Sequence, residues 1–131
     1  MKSKIIIILA FILNIFPSLY AHDFEAEGFF FNFTGPETVE VTYKGYLDLD
    51  EPEYPSQDTG YNTYYEGDLV IPEKVLCDNN IYAVTSIGNY AFYKCRNLTG
   101  LKIPDSVVSI GMGAFYKCYT LSEIEIPSSV T

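Results

Sequence analysis

An internal repeat in the C-terminal third constrains the fold of this chain more than any other feature. Residues 87–109 and 110–131 align at a shift of 23 residues, so that Ile87 aligns with Ile110 and Cys95 with Cys118. A repeating unit of ~20–29 residues is too short for two helices but suits one strand, one short helix and two turns. One such unit cannot bury its own apolar residues, so the repeat predicts a stack of similar coils.

Each unit contains an alternating apolar segment that predicts a β-strand. In residues 87–109 the spacing Leu98-x-x-Leu101-x-Ile103 is typical of the strand in a leucine-rich repeat. Alternation directs Leu101 and Ile103 to the core and leaves Gly100 and Lys102 on the outer face. The same reasoning applies to the neighbouring coils. The candidate binding residues on the outer, concave face are Val70, Gly100, Lys102, Glu123 and Glu125.

Stacking places equivalent apolar side chains of neighbouring coils on one another. The Ala-Phe-x-x-Cys spacing in both units predicts a single helical turn. The proline after each strand, Pro104 or Pro127, ends it because proline cannot donate a hydrogen bond to the sheet. The predicted ladder residues are Phe92, Phe115, Cys95, Cys118, Leu98, Leu121, Ile103 and Ile126.

The full pattern, I-G-x-x-A-F-x-x-C-x-x-L-x-x-I-x-I-P-x-S-V, resembles the leucine-rich repeat of the Bacteroides surface protein A type, which is also seen in Treponema. The resemblance covers residues 87–131 closely. It implies a leucine-rich-repeat solenoid, with a parallel β-sheet, short helical turns and a 23-residue period, preceded by a β-hairpin N-terminal cap. It also implies adhesion to proteins, cells or glycans as the function.

Residues 67–86 are expected to form an atypical first coil. Residues 67–72, ending in Ile71-Pro72, match a repeat strand, and residues 84–88 match a repeat junction. The longer spacing between them, centred on residues 78–80, predicts a β-hairpin. We therefore divide the repeats into a first coil (67–86), a second coil (87–109) and a third, incomplete coil (110–131).

The N-terminal segment 1–21 is predicted to be a secretory signal peptide. Lys2 and Lys4 precede a short apolar run, and Ala21 offers a small residue for cleavage. A membrane anchor is the alternative, but the run is shorter than the ~20 residues that span a bilayer. Removal of the two lysines would change the net charge from −9 to −11. This acidity argues against nucleic acid and membrane surfaces as partners.

Residues 22–66 are predicted to form a hairpin cap followed by an acidic, tyrosine-rich loop. Two β-rich runs, 29–33 and 38–43, flank a Thr-Gly-Pro-Glu turn. In the loop, Asp48 and Asp50 resemble the start of a calcium site. Pro52 stands where a third ligand is needed, so a solvated acidic loop is the preferred interpretation.

The sequence contains no convincing set of catalytic or metal-binding residues. His22 has no histidine partner, and Cys77 has no repeat equivalent. Cys95 and Cys118 are expected to be thiols buried between coils, with a disulfide between them as the alternative. Glu123 and Glu125 would stand ~6–7 Å apart, as in some glycosidases, but on an open sheet without a cleft. The chain is therefore predicted to be non-enzymatic and to need no cofactor or metal.

The predicted function is that of a secreted or cell-surface module that binds an extracellular protein or glycan. A leucine-rich-repeat solenoid exposes its parallel sheet as a rigid recognition surface. Two alternatives remain: a fragment of a longer surface repeat protein with no independent function, and an extracellular hydrolase. The identity of the ligand and the oligomeric state do not follow from the sequence.

Overall fold

The structure, a computed structural model, describes residues 22–44 and 65–131. The predicted signal peptide and nearly all of the predicted acidic loop lie outside these residues. The described residues form nine strands: β1 (Phe24–Ala26), β2 (Phe29–Phe33), β3 (Thr38–Thr42), β4 (Glu66–Val70), β5 (Lys74–Cys77), β6 (Asn80–Ile87), β7 (Asn97–Lys102), β8 (Ser109–Ile110) and β9 (Glu123–Glu125).

A parallel sheet of three strands, here called the repeat sheet, contains one strand from each coil. Its order is β4-β7-β9. Val70 pairs with Lys102, and Lys102 pairs with Glu125. Leu98, Leu101 and Ile103 are buried beneath the sheet, as the repeat spacing predicts. The leucine-rich-repeat type of fold is thus confirmed for this face.

The second sheet, here called the cap sheet, joins the N-terminal residues to the coils. Its order is β1-β2-β3-β6-β5, and β8 pairs with β6. The strands β1, β2 and β3 are antiparallel, whereas β3 runs parallel to β6 and β6 parallel to β8. The sheet curls until β1 approaches β5. The cap is therefore continuous with the coils through backbone hydrogen bonds.

Two hairpins in the cap sheet have turns whose central residues are both left-handed. Glu27 and Gly28 join β1 to β2 with φ of 51° and 82°, and Asp78 and Asn79 join β5 to β6 with φ of 48° and 64°. Two-residue turns of this kind match the twist of antiparallel strands. The second lies where the long first coil predicts a hairpin, whereas β1 adds a strand to the predicted cap.

The expected helical turns are absent from the described residues, which is a correction to the sequence-based prediction. Residues 88–95 form successive turns, and the left-handed residues Tyr90 and Lys94 interrupt the right-handed path of a helix. The amides of Tyr90, Phe92 and Lys94 donate to carbonyl oxygens of the third coil at 2.8–2.9 Å. These amides bond between coils, and so they cannot form the internal bonds of an α-helix.

Of the predicted ladder pairs, the two phenylalanines stack between the second and third coils. The rings of Phe92 and Phe115 stack with centroids 5.5 Å apart and an interplanar angle of 14°. Leu98 and Ile103 are buried, but Ile126 is 57% exposed. The third coil has a neighbouring coil on one side only within the described residues, so its apolar side chains are less covered.

The core extends from the cap sheet into the coils. Its cap portion is aromatic: Phe29, Phe31 and Tyr65 are buried, and the ring of Tyr65 lies 4.7 Å from the ring of Phe92. Tyr65 therefore connects the aromatic cluster of the cap to the phenylalanine ladder of the coils.

None of the described residues belongs to a helix long and apolar enough to span a membrane.

Candidate binding surface

The predicted concave-face residues lie on the repeat sheet, where hydrogen-bonded pairing sets their spacing. Val70, Lys102 and Glu125 form one row across the three strands, and all three are exposed. Neighbouring strands lie ~4.8 Å apart, so the row is ~10 Å long. Within the described part of the chain, Lys102 and Glu125 do not form an ion pair, and both remain accessible to a ligand.

Gly100 is placed differently from the exposed position that the sequence suggests. It pairs with Asp68 on one side and Glu123 on the other, but it is itself buried. A Cβ atom on Gly100 would lie 2.7 Å from Oδ1 of Asp68, so the carboxylate of Asp68 covers this position. The hydroxyl of Thr99 donates to the same oxygen at 2.6 Å. Asp68, oriented by Thr99, is thus the side chain presented here.

Asp68 was not among the predicted site residues, although the sequence contains the signal for it. The alignment of Ile71-Pro72 with Ile103-Pro104 that pairs Val70 with Lys102 also pairs Asp68 with Gly100. The pairing shifts register between Gly67 and Asp68, because the first coil has one residue fewer in this strand than the second coil. Gly100 therefore has a carboxylate residue on each side, Asp68 from the first coil and Glu123 from the third.

The charge on the repeat sheet is mainly negative. Its strands carry the exposed carboxylates of Glu66, Asp68, Glu123 and Glu125, against one exposed ammonium group, that of Lys102. These carboxylates lie on the two outer strands, β4 and β9, on either side of β7, and together they raise the negative potential in front of the sheet. The surface therefore favours groups with positive charge.

The side chains considered for catalysis are not assembled into a site. Glu123 and Glu125 lie exposed on β9, an outer strand of the sheet, where water reaches both carboxylates. His22 is on the cap, with Nε2 3.2 Å from Oε1 of Glu25 and its ring against Phe30. Residues 22–44 and 65–131 contain no group of three or more His, Cys, Asp or Glu side chains arranged to hold a metal ion.

The three cysteines are free thiols. Cys95 is fully buried, while Cys118 is half-buried with its Sγ 2.8 Å from the carbonyl oxygen of Phe92. A hydrogen bond with Cys118, together with burial, raises the pKa of the Cys95 thiol. The pair thus occupies the interior of the stacked coils, and Cys77 lies apart from it in β5.

Comparison with known protein families supports the repeat assignment. Residues 78–131 match the BspA type leucine rich repeat region. This stretch begins in the β5–β6 hairpin and includes the second and third coils. None of the curated protein sequences is significantly similar to this chain.

Solved structures of leucine-rich repeat proteins are similar over most of the chain. One from Bacteroides ovatus is 35% identical with a TM-score of 0.65, and the match covers 84% of this chain and 25% of that protein. A leucine rich cell surface protein from Faecalibacterium prausnitzii is 25% identical with a TM-score of 0.58, covering 81% of this chain and 24% of that one. The T. pallidum leucine rich repeat protein is 25% identical with a TM-score of 0.55, covering 82% and 41%. The chain thus spans a quarter to two fifths of these proteins.

Proposed function

We propose that this chain, which belongs to the BspA-type leucine-rich-repeat family through residues 78–131, is a non-catalytic, secreted or cell-surface adhesion module. Its partner would be an extracellular protein or glycan, bound on the repeat sheet. The similar protein from Faecalibacterium prausnitzii is described as a cell surface protein. That description supports a surface location for this chain.

The charge of the repeat sheet carries the proposal and narrows the class of partner. The strands β4, β7 and β9 together carry four exposed carboxylates and one exposed lysine. A glycan with sulfate or carboxylate groups would be repelled by this surface, whereas a polypeptide rich in lysine and arginine would be attracted. We therefore favour a basic protein surface as the partner of the repeat sheet.

The small area of the sheet sets the expected strength of binding. Three strands at ~4.8 Å spacing and ~3.3 Å per residue present only roughly 250 Å². A standard protein interface uses about 800 Å² on each partner. A single copy of this sheet should therefore bind weakly, and useful adhesion would depend on several copies acting together at a surface.

Binding to a lysine- and arginine-rich synthetic peptide, measured by surface plasmon resonance, tests the proposal. The variant with Glu123→Gln and Glu125→Gln should bind about 3–10-fold more weakly, because two exposed charge pairs of modest energy are lost. Lys102→Glu should strengthen binding. Raising the salt concentration should weaken it, since exposed charges are screened within ~8 Å at physiological ionic strength.

The matched control carries Glu37→Gln and Glu73→Gln, which remove the same charge from exposed positions outside the repeat sheet. This control should bind as the unaltered chain does, because only its net charge differs. If both double variants lose affinity equally, the attraction is a general effect of net charge and the repeat sheet is not the site. A peptide of the opposite charge should not bind.

A further inference from the structure

A second concave feature lies on the cap sheet, away from the repeat sheet. It is an open groove of about 400 Å³ at the junction of the cap with the second and third coils. This volume lies within the range of ~300–1,000 Å³ that small-molecule sites occupy. The groove is formed by the strands β2, β3, β6 and β8 together with the residues that follow β6 and β8.

A continuous row of polar side chains crosses the groove. Asn32 pairs with Glu40, Glu40 with Ser86, and Ser86 with Ser109, so that each of four adjacent strands contributes one residue. At ~4.8 Å between strands the row is ~14 Å long. Within the described residues, none of these four side chains forms a hydrogen bond or ion pair with another part of the protein. Their donors and acceptors are therefore available to a ligand.

Two further side chains border the row. The carbonyl oxygen of the Asn89 side chain accepts the amide of Met112 at 2.8 Å, which fixes the orientation of Asn89 and leaves its NH₂ group as a donor. Tyr43 is half-buried, and its pKa is raised by burial and by the nearby carboxylate of Glu40. A neutral tyrosine offers both an apolar ring and a hydroxyl group, a combination that suits ligands with apolar and polar faces.

Glycines keep the floor of the groove at the level of the backbone. A Cβ on Gly88 would lie 3.0 Å from Oε1 of Glu40, and one on Gly111 would lie 2.5 Å from the amide nitrogen of Asn89. The floor comes from the repeat itself, because the tripeptide Ser-Ile-Gly occurs at 86–88 and again at 109–111. Each coil thus adds a hydroxyl and a bare glycine to the same groove.

The side chains that line the groove argue against anions and against calcium ions as ligands. No lysine or arginine is found among the described residues that line it, and the carboxylate of Glu40 would repel an anion. Glu40 is also the only carboxylate in that lining, whereas Ca²⁺ takes 6–8 oxygen ligands and usually several carboxylates. Hydroxyl, amide and carboxylate groups instead pair with ligands that offer many neutral O–H donors and acceptors.

We propose that the groove formed by Asn32, Glu40, Tyr43, Ser86 and Ser109 binds a neutral saccharide. The carboxylate of Glu40 accepts hydrogen bonds from two sugar hydroxyls, and the serines and Asn32 continue the contact along the row. The ring of Tyr43 packs against the C–H face of the sugar. This site is distinct from the repeat sheet in location and in ligand class, and it does not depend on the function proposed for that sheet.

A titration of the purified full chain, followed by ¹⁵N–¹H NMR, tests this proposal. The probes are glucose, galactose, mannose, N-acetylglucosamine and maltose, each up to ~20 mM so that millimolar affinity is detected. At least one probe should shift the amide signals of Gly88, Gly111, Ser86 and Ser109. Glu40→Gln should weaken that binding about tenfold, since hydrogen bonds to a charged acceptor are roughly twice as strong as neutral ones.

Control variants and a control ligand distinguish saccharide binding in the groove from binding at the repeat sheet and from binding of peptide backbone. Glu125→Gln, on the repeat sheet, should leave saccharide binding unchanged, and the pair Ser86→Ala with Ser109→Ala gives a second test if Glu40→Gln disturbs the fold. The proposal is overturned if no saccharide shifts the groove signals, or if the shifts occur elsewhere on the chain. It is also overturned if N-methylacetamide, a stand-in for peptide backbone, binds the groove as well as every sugar does.

Discussion

The phenolic hydroxyl of Tyr65 donates a hydrogen bond to the backbone carbonyl oxygen of Thr42 at 2.8 Å. The phenolic oxygen of Tyr65 also accepts a hydrogen bond from the backbone amide of Phe30 at 3.1 Å. Tyr65 is completely buried and precedes the first strand of the repeat sheet, whereas Thr42 and Phe30 are on the cap sheet. One side chain thus satisfies two backbone groups of the cap from a position at the start of the coils.

Tyr65→Phe should therefore destabilise the protein by about 1–3 kcal/mol, because the variant leaves a buried amide and a buried carbonyl without their partner. The aromatic contacts with Phe29 and Phe92 are kept, so the loss reports on the hydrogen bonds alone. Urea unfolding followed by circular dichroism measures it. The control is Tyr119→Phe, which removes a hydroxyl from a side chain that is 72% exposed and should change stability little. Equal effects would contradict this account of Tyr65.

The same hydroxyl should make the protein sensitive to high pH. Burial raises the pKa of Tyr65 well above its ordinary value of 10.0. Below about pH 10 both folded and unfolded states hold the proton, so this contribution to stability is complete. Above that pH the unfolded state loses the proton while the folded state retains it. The free energy of unfolding then falls by up to about 1.4 kcal/mol per pH unit.

Comparing the unaltered chain with Tyr65→Phe isolates this contribution, since all other titrating groups are shared. Urea unfolding at several pH values from about 9 to 11.5 should show a steeper decline for the unaltered chain, beginning near the ordinary tyrosine pKa of ~10. Parallel declines in the two proteins would mean that Tyr65 does not control alkaline stability.

The parts of the fold that repeat in sequence were predictable from the sequence. The Ile-Pro pairs set the register of the repeat sheet, so Val70, Lys102 and Glu125 lie in one row as expected. The Ala-Phe-x-x-Cys alignment likewise predicts the stacked pair Phe92 and Phe115. In both cases, residues that align in the repeated sequence are neighbours in the structure, because stacked coils place equivalent residues on one another.

The successive turns at residues 88–95 were not predictable in the same way. The spacing of Ala91, Phe92 and Cys95 suits a helical turn, but Tyr90 and Lys94 are left-handed, and neither residue type signals that conformation. Gly113, the equivalent of Tyr90 in the third coil, is the only local sign of it. The inter-coil hydrogen bonds that replace a helix depend on the neighbouring coil, which local spacing does not describe.

The proposed saccharide groove could not be predicted from the sequence either. Its polar row combines Asn32 and Glu40 of the cap with Ser86 and Ser109 of the coils, and this requires β3 to pair in parallel with β6. More than 40 residues separate those two partners in sequence: Glu40 pairs with Ser86. No repeat or motif links them, so their register emerges only from the folded core.

Gly113→Ala should be more destabilising than Gly28→Ala, although both glycines have positive φ. Any side chain at φ of 63° or 82° costs about 1–2 kcal/mol through backbone strain. At Gly113 the new Cβ would also lie 2.5 Å from the ring of Tyr90, whereas nothing lies within 4 Å at Gly28. Overpacking should add about 1–3 kcal/mol.

Thermal unfolding of the two variants measures the difference. Adding Tyr90→Ala to Gly113→Ala removes the ring and should recover part of the lost stability relative to Tyr90→Ala alone. If the two glycine variants unfold alike, the close approach of Tyr90 to Gly113 makes no energetic contribution. Positive φ would then account for the entire effect.

The same substitution, cysteine to serine, should change stability by different amounts at Cys95 and at Cys118. Cys95 is fully buried among apolar side chains, and the hydrogen-bond partner of its thiol is the sulfur of Cys118, a weak acceptor for a hydroxyl group, so Cys95→Ser should cost about 1–3 kcal/mol. Cys118 is half-buried and its Sγ already lies 2.8 Å from the carbonyl oxygen of Phe92. A serine hydroxyl can donate to the same oxygen, so Cys118→Ser should change stability by less than about 1 kcal/mol. Urea unfolding under reducing conditions tests both. A Cys118→Ser variant as unstable as Cys95→Ser would show that the Phe92 carbonyl is not a usable acceptor, and that the ladder requires sulfur at both coils.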